Sequence, residues 1–404
     1  MSATTSPCPS STSRRPSYAA VLRVPHARRT FAAALSARLS YGTVSLAVLL
    51  SVTRATDSYT ASGAVMAVFG ASAVFLMPLR ASLVDRYGPR RTLLPMAALY
   101  SVLLCVLAAL TWRPGASPVV LAVSAAVTGA CAPPLGPAMR AVWSDLVHDR
   151  RLLRRAYSMD GVAEELLYVS GPAVVGLLLR FGPPAAGVLL SAVLMVTGTC
   201  AFVTSPVMAG TGHRPGKPTA RRARRLPPGL LRPVVAAAGL GLALSGAELL
   251  VTAFAAQRSY DDSVVPWILG ALSAGSAAGG LLNGAVEWRA PARARLPWLL
   301  AGLGTALSAA ALARGPWTLA AALACAGVCV APALTTAYLL GDETAQEGAR
   351  TRAGAWINTA VNAGTSVGSA AAGLLVGRLP LGACFVLAGA MAAVAAVAAV
   401  VAPR

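Results

Sequence analysis

Ionisable residues inside long apolar stretches are the part of this sequence best suited to carry chemistry. Glu248 is the clearest example, because the segment LSGAELLVTAF places apolar residues on both sides of it. Removal from water disfavours the charged form of a carboxyl, which suits a group that binds and releases protons. Glu165 and Arg38 lie in other apolar stretches. These three residues are the candidates for proton coupling, and a fixed structural ion pair is the alternative role for Glu248.

The stretch ASLVDRYGPRR, residues 81–91, gathers charges between two apolar runs. Gly88 and Pro89 favour a tight turn between helices, and Arg90 and Arg91 suit a loop held at an anionic lipid surface. A basic loop that only fixes the side of the membrane would explain these arginines. It would not explain Asp85 or Gly88.

A stripe of polar side chains follows one face of a predicted helix in WINTAVNAGTSVGS. Asn358, Asn362, Thr365 and Ser369 recur at steps of four, three and four residues, which is the spacing of one helical face. The stripe suits either a water-filled cavity or hydrogen bonds between helices, worth about 1 kcal/mol each. Trp356 and Asn358, at one end of this segment, are candidates to contact a bound molecule.

The elements that must position these residues are membrane-spanning helices. Only 12% of the residues are charged, against about 25% in soluble domains. The apolar blocks have the length of about 20 residues that crosses a bilayer. We predict an all-α membrane protein with twelve transmembrane helices in two pseudo-symmetric six-helix bundles. The predicted spans are 30–53, 60–80, 92–112, 117–139, 160–180, 184–205, 231–256, 264–286, 296–313, 316–340, 354–376 and 380–402.

The links between the spans alternate in charge. Those after odd-numbered spans contain Arg54, Arg113, Arg180, Arg258, Arg314 and Arg378. The links after even-numbered spans and the two termini carry nearly all the other basic residues. Because positive loops stay in the cytoplasm, we predict a multi-pass protein of the cytoplasmic (inner) membrane with both termini cytoplasmic. The net charge of +20 is spread over many short loops, which argues against a nucleic-acid partner.

Four regions follow from this pattern. Residues 1–28 are rich in Ser and Pro and are predicted to be a disordered cytoplasmic N-terminus. Residues 29–205 and 231–404 are the two bundles, and 206–230 is a basic cytoplasmic linker, with binding of anionic headgroups as a secondary role. The bundles resemble each other, since GPAVVGLLL and GACAPP in the first recur as GSAAAGLLV and GVCVAP in the second. This repetition favours a duplicated six-helix unit.

Twelve spans in two related halves, with ASLVDRYGPRR between the second and third spans, resemble the major facilitator superfamily. The loop signature of that family is Gly, three residues, Asp, Arg, one residue, Gly and two basic residues. The matching residues here are Asp85, Arg86, Gly88, Arg90 and Arg91, while Ala81 replaces the first Gly and Pro89 is inserted. The resemblance implies that Asp85 contacts the start of the eleventh span when the protein faces outward, and so acts as a conformational switch.

Further expectations concern the transmembrane residues. Arg140, at the end of the fourth span, would form a salt bridge with Glu165, because both lie near the cytoplasmic face on consecutive helices; the resemblance implies, as the alternative, that it connects to the Asp85 loop. The spans that line the central cavity in this family would place Glu248 opposite Arg38. SGPAVVG resembles part of the antiporter motif of drug exporters, in which Gly171, Pro172 and Gly176 would kink a helix and let it pack closely.

The function that these features predict is secondary active transport of a small organic molecule by alternating access. Proton-coupled efflux is favoured; a metabolite uptake symporter or facilitator is one alternative, and a non-transporting membrane sensor or scaffold is another. We expect no enzyme activity, no cofactor and no metal site, and the seven cysteines are read as small apolar residues. The expected partners are the substrate, protons and membrane lipids, with the protein acting as a monomer.

Overall fold

The computed structural model describes residues 18–210, 229–261, 264–345, 349–376 and 378–401. Within these ranges the chain is almost wholly α-helical. The helices are α1 (Tyr18–Arg23), α2 (Ala27–Thr56), α3 (Tyr59–Phe75), α4 (Met77–Tyr87), α5 (Pro89–Leu110), α6 (Pro118–Cys131), α7 (Leu135–Leu146), α8 (Arg150–Leu178), α9 (Ala185–Val203), α10 (Pro206–Gly210), α11 (Leu231–Gln257), α12 (Val264–Ala285), α13 (Ala292–Ala310), α14 (Pro316–Thr344), α15 (Arg350–Leu375) and α16 (Leu381–Val401).

These helices form the twelve transmembrane elements that the sequence predicted. α3 and α4 together make the second element and α6 and α7 the fourth, while every other element is one helix. Among the described residues, ten of the elements are long and apolar enough to cross a bilayer. The other two, α13 and α15, begin with arginines, which lower their hydropathy. The chain is a multi-pass membrane protein.

The two halves are built alike. In the first half α2 packs against α8 and α9, α5 packs against α6 and α9, and α3 packs against α6. The same relations recur in the second half, where α11 packs against α15 and α16, α13 against α14 and α16, and α12 against α14. The repeated sequence segments therefore correspond to a repeated set of helix pairs.

Prolines decide where the transmembrane elements are interrupted. α3 ends just before Pro78, and α6 ends just before the pair Pro133 and Pro134, because each proline removes a backbone donor from the helix. In the second half Pro332 stands at the position of Pro134, but Ala331 replaces Pro133. α14 continues through that single proline without a break.

Three predicted boundaries are wrong. α8 begins at Arg150 rather than near 160, because Asp149 caps it by accepting a hydrogen bond from the Arg151 N–H. Residues 18–28 are ordered rather than disordered: they form α1, a turn at 24–26 and the start of α2, Val21 is buried, and the Tyr18 hydroxyl donates to the Leu281 carbonyl. The first five residues of the predicted linker form α10. Residues 1–17 and 211–228, which hold the rest of the predicted N-terminus and linker, lie outside the described residues.

The halves meet at the end of the molecule that carries the even-numbered links, whose described residues include 87–89, 147–149, 285–291, 345 and 349. We call this end the basic face. α15 packs there against α4 and α7, and α8 packs against α12 and α14. These pairs are related by the same two-fold repetition as the halves themselves. Contacts between the halves are thus concentrated at the basic face.

Candidate functional site

A cavity of about 210 Å³ lies mostly within the first half and opens towards the second. Its polar lining comes from Arg38, Arg80, Glu164, Asn358 and Asn362. Apart from Ser45, the remaining lining is aromatic and apolar and includes Tyr41, Phe69, Tyr100, Pro133 and Tyr168. Two asparagines of α15 therefore bring the second half to a cavity whose charges belong to the first.

Four charges form a network beside this cavity, three of them buried and the fourth, on Glu164, partly buried. Arg38 of α2 is 2.6 Å from Asp160 and 2.8 Å from Glu164, both on α8. Arg140 of α7 is 3.1 Å from Asp160 and also pairs with Glu164. Two positive and two negative charges thus compensate each other, which is how ionised side chains are tolerated away from water.

The network reaches the cavity and the other half. Arg140 Nη1 has no hydrogen-bond partner among the described residues, and a Cβ on the cavity residue Gly136 would lie 3.8 Å from that atom and 3.9 Å from Glu164 Oε1. The Arg140 guanidinium also lies 3.8 Å from the ring centroid of Tyr338 on α14, a cation–π distance. The predicted Arg140–Glu165 salt bridge is wrong, because Glu164 rather than Glu165 faces the arginines.

Arg80 is a buried cation that the sequence analysis did not single out. It donates to the Gly129 carbonyl at 2.8 Å and also to the Ala73 carbonyl. The Gly129 carbonyl accepts the Ala132 N–H, and it has room for Arg80 because Pro133, four residues later, has no N–H. In the same way, the Pro133 carbonyl accepts the Leu135 N–H and the Tyr41 hydroxyl, because Pro137 has no N–H. Arg80 therefore joins two helix interruptions, and no described carboxylate forms an ion pair with it.

Glu165 lies at the interface between the halves. The Ser276 hydroxyl of α12 donates to Glu165 Oε1, and Glu165 Oε2 is buried without a hydrogen-bond partner among the described residues. Its position differs from that of Glu164, although the two are adjacent in sequence, because consecutive helical residues point about 100° apart. Glu165 contacts the second half, whereas Glu164 pairs within the first.

Glu248 is exposed and forms no ion pair with Arg38, which is paired with Asp160 and Glu164 instead. No described residue forms an ion pair with Glu248. α11 packs against each of the other five long helices of its half. The exposed stripe of α11 that contains Glu248 and Thr252 is therefore directed away from that bundle.

The polar stripe of α15 divides into two parts. Asn358 and Asn362 line the cavity, where the Asn362 amide donates to Asn358. Thr365 instead contacts α11, since the Ser245 hydroxyl donates to its carbonyl at 2.7 Å. Trp356, Thr365 and Ser369 are not among the residues that line the cavity. One part of the stripe therefore lines a cavity and the other part forms a hydrogen bond between helices, which are the two roles that the sequence left open.

Asp85 makes the contact expected of it at the basic face. Its two carboxylate oxygens accept the backbone N–H groups of Thr351, at 3.2 Å, and Arg352, at 2.8 Å, in the first turn of α15. Gly88 has φ of 86°, in the left-handed region that favours glycine, and with Pro89 it turns the chain from α4 into α5. Arg86, Arg90 and Arg91 are exposed beside this turn.

The equivalent pair of helices on the other side of the basic face, α8 and α12, is joined by arginine side chains and backbone carbonyls. At the position equivalent to the Asp85 contact, Arg154 and Arg155 of α8 donate to the carbonyls of Val286 and Ala285 at the end of α12, at 2.7 and 3.3 Å. Arg151 is 3.1 Å from Glu287. Anions favour helix N-termini and cations favour C-termini. On one side of the basic face a carboxylate contacts the N-terminus of α15, and on the other side arginines contact the C-terminal end of α12.

The glycines of the antiporter-like motif have separate roles. A Cβ on Gly171 would lie 2.3 Å from the carbonyl carbon of Gly42, so these two glycines allow α8 and α2 to touch. Pro172 lies within α8. Gly176 faces open space, with no atom within 4 Å of an added Cβ, and its predicted packing role is wrong.

Asp160 and Arg80 were missed because both lie near predicted span ends. Since α8 begins at Arg150, Asp160 is about 15 Å inside the helix. The sequence did contain one indication that Asp160 belongs to the network: Asp160 and Glu164 are four residues apart and so share a helical face. No comparable sequence signal pointed to Arg80.

Comparison with known proteins gives a consistent result. The family model described as Major Facilitator Superfamily matches residues 30–364. A bacterial homologue of the iron transporter ferroportin in an outward-facing state has a similar structure, with a TM-score of 0.71, 16% identity, and coverage of 93% of this chain and 97% of that chain. The same homologue with soaked iron gives a TM-score of 0.72 and 15% identity with the same coverage.

At such identities the solved structures establish a shared fold only, and no curated protein sequence matches this chain. The family match covers most of the chain and includes the Asp85 loop, the buried network and the cavity. A twelve-helix bundle in two similar halves that are joined at one face is the architecture expected from that match. The chain belongs to the Major Facilitator Superfamily and is a multi-pass membrane transporter.

Proposed function

We propose that this protein exports a small organic molecule from the cytoplasm in exchange for protons. The observation that carries the proposal is the charged cavity beside the interface of two halves that are held together at one face only. Among the described residues, hydrogen bonds and ion pairs between the halves lie from the middle of α8 and α12 to the basic face. A protein whose halves are joined in this way can open by rocking one half against the other.

The basic face is the cytoplasmic one in this proposal, because positively charged links remain in the cytoplasm. The described structure is then the outward-facing state, with Asp85 holding the cytoplasmic side closed. Arg350 strengthens that closure, since it lies 2.6 Å from Asp145 of the first half. Opening of the basic face must break both contacts before substrate can enter from the cytoplasm.

Glu165 is the carboxyl best placed to link protons to this motion. Its Oε1 accepts from Ser276 of α12 and its Oε2 is buried while the halves are closed, and separation of those helices would expose both oxygens to water. Burial costs a carboxylate more than a carboxylic acid, so proton binding and helix separation are coupled at such a position. Glu248 is the second candidate, because it is an exposed carboxyl on the helix that pairs with α15.

A metal ion is a second candidate substrate, since two similar structures are described as a homologue of an iron transporter. The cavity of this chain favours it less. Arg80 lines the cavity without a carboxylate partner among the described residues and would repel a divalent cation. Among the described residues, no group of three or more His, Cys, Asp or Glu side chains is placed to hold a metal.

Proton exchange can be tested in inverted membrane vesicles. A pH-sensitive dye reports the acid interior that respiration creates, and a panel of aromatic acids, neutral aromatics and aromatic amines is added in turn. We expect at least one compound to release protons from vesicles that contain this protein. Vesicles with the Asp85→Asn variant should respond less, and vesicles without the protein should not respond.

The alternatives predict different outcomes in the same vesicles. A facilitator would move a labelled compound without changing the interior pH. A proton symporter would move substrate and protons in the same direction. Addition of its substrate outside the vesicles would therefore acidify the interior, which is the opposite of the change expected from exchange. A sensor or scaffold would bind a compound without moving either species, and that result would remove transport from the proposal.

A further inference from the structure

Arg80 carries a charge that the protein does not neutralise. It is 5% exposed, it lies in α4, and its guanidinium donates to two carbonyl groups rather than to a carboxylate. The ionisable groups around it are Tyr41, Tyr100 and Cys131, all of which are neutral at pH 7 at their usual pKa values. An ionisable side chain inside a membrane protein without such a partner marks a functional position.

The charges around the cavity therefore do not cancel. Arg38 and Arg140 are balanced by Asp160 and Glu164, which form the four ion pairs of the buried network. Arg80 adds one positive charge at the cavity wall. Its Nε is buried without a hydrogen-bond partner among the described residues, so one donor of this guanidinium is not used by the protein.

The rest of the lining suits an apolar body. Tyr41, Phe69, Tyr100 and Tyr168 give the cavity aromatic walls, and such walls bind ring systems by stacking and burial of apolar area. The volume of about 210 Å³ equals that of roughly seven water molecules at about 30 Å³ each. That space fits one or two fused rings with a small polar group.

We infer that the cavity binds an organic anion with an aromatic or apolar body, and that Arg80 holds its anionic group. This deepens the proposed function, since it names the class of molecule that the transporter carries. The guanidinium would then have two roles: it stabilises the interruptions of α3 and α6 through their carbonyls, and it supplies the positive charge that selects an anion. A cationic molecule of the same shape would be repelled.

Equilibrium binding to the full-length protein in detergent tests the inference without any gradient. The three probes are naphthalene-2-sulfonate, 2-naphthol and 2-naphthylmethylammonium, which share a ring system and differ in charge. We expect saturable binding of the sulfonate, at least about tenfold tighter than that of the other two, or about 1.4 kcal/mol. Equal behaviour of the three probes, including no binding by any, would overturn the inference, as would preference for the ammonium.

Variants separate charge from structure. Arg80→Gln removes the charge but can still donate to one carbonyl, and it should lose the preference for the sulfonate. Arg80→Lys keeps the charge but not the fork of two carbonyl bonds, and it should keep the preference even if the protein is less stable. Arg54→Gln, an exposed arginine of α2, is the matched control and should bind like the wild type.

A sulfonate affinity in Arg80→Gln equal to that of the wild type would leave Arg80 a structural residue only. If that variant does not fold, the preference of the wild type among the three probes still decides the inference. The experiments distinguish failure of the anion site from failure of proton exchange. A protein that binds the sulfonate but releases no protons in vesicles keeps its anion site and contradicts proton exchange, while proton exchange driven only by amines contradicts the anion site.

Discussion

Asp85 Oδ2 accepts a 2.8 Å hydrogen bond from the backbone N–H of Arg352, and this bond joins the last turn of α4 to the first turn of α15. The second oxygen accepts the neighbouring N–H of Thr351. The first N–H groups of a helix have no partner within it, so a carboxylate satisfies them and also matches the positive end of the helix dipole. A single side chain thereby connects the two halves.

Asp85→Asn should weaken the closed basic face. The amide keeps the size of the carboxylate but loses its charge, which is worth about 1–2 kcal/mol in such a contact. That loss changes the ratio of the two states by about 5- to 30-fold. Spin labels at His148 and Ala290, which lie on opposite halves of this face, should show a larger population of long distances.

Asp57→Asn is the control for that experiment. Asp57 is an exposed carboxylate at the end of α2, away from the basic face. It should leave the distance distribution unchanged. An Asp85→Asn protein with the wild-type distribution would reduce the loop to a determinant of membrane orientation.

Asp160→Asn should destabilise the protein strongly. Asp160 is fully buried between Arg38 and Arg140, and removal of one partner of a buried ion pair costs about 3–5 kcal/mol. Thermal unfolding in detergent should occur at a clearly lower temperature. The double variant Arg38→Gln, Asp160→Asn should recover part of the loss, because it removes one charge of each sign.

Gly171→Ala should separate α8 from α2. The added methyl group would overlap the Gly42 backbone, and forced overpacking of this kind costs about 1–3 kcal/mol. Gly176→Ala is the matched control five residues later, where the methyl group meets open space. It should leave stability unchanged or raise it by about 0.5–1 kcal/mol, since alanine is the better helix former. Equal effects of the two changes would contradict the packing role of Gly171.

Glu165→Gln tests proton coupling. If Glu165 exchanges protons when α8 and α12 separate, the variant should still bind and equilibrate substrate but should no longer accumulate it against a gradient. The amide can still accept a hydrogen bond from Ser276, so folding should be preserved. Glu248→Gln, measured in parallel, assigns the role to one of the two carboxyls. Undiminished uphill transport in both variants would exclude both from coupling.

Cysteine labelling tests the orientation of the protein. In a background that lacks the seven native cysteines, one new cysteine replaces Arg289 on the basic face and another replaces Ser259 at the opposite end, both of which are exposed. A membrane-impermeant maleimide added to intact cells should label the cysteine at Ser259 and not the one at Arg289. The reverse pattern would mean that the basic face is external.

The sequence alone determined the class of fold, because apolar length and loop charge are local properties. Twelve apolar blocks correspond to twelve transmembrane elements, and Gly88 and Pro89 predicted a turn that the structure contains. The contact of Asp85 was implied by the resemblance to a family, and the structure contains it too. The internal repeats predicted two similar halves, and the same helix pairs recur in each. These features depend on residues that are neighbours in the chain or on a motif of fixed spacing.

The pairing of the buried charges was decided only by the tertiary structure. Arg38, Arg140, Asp160 and Glu164 come from three helices, and a rotation of one helix by a single residue would replace Glu164 with Glu165. Such rotations follow from contacts like that of Gly42 with Gly171, which a single sequence does not display. The role of Arg80 depended on Pro133, which is 53 residues away in the chain (133 − 80), since its missing N–H group leaves room on the Gly129 carbonyl for Arg80. Sequence periodicity defines which face of a helix is polar, but only packing defines which partner that face meets.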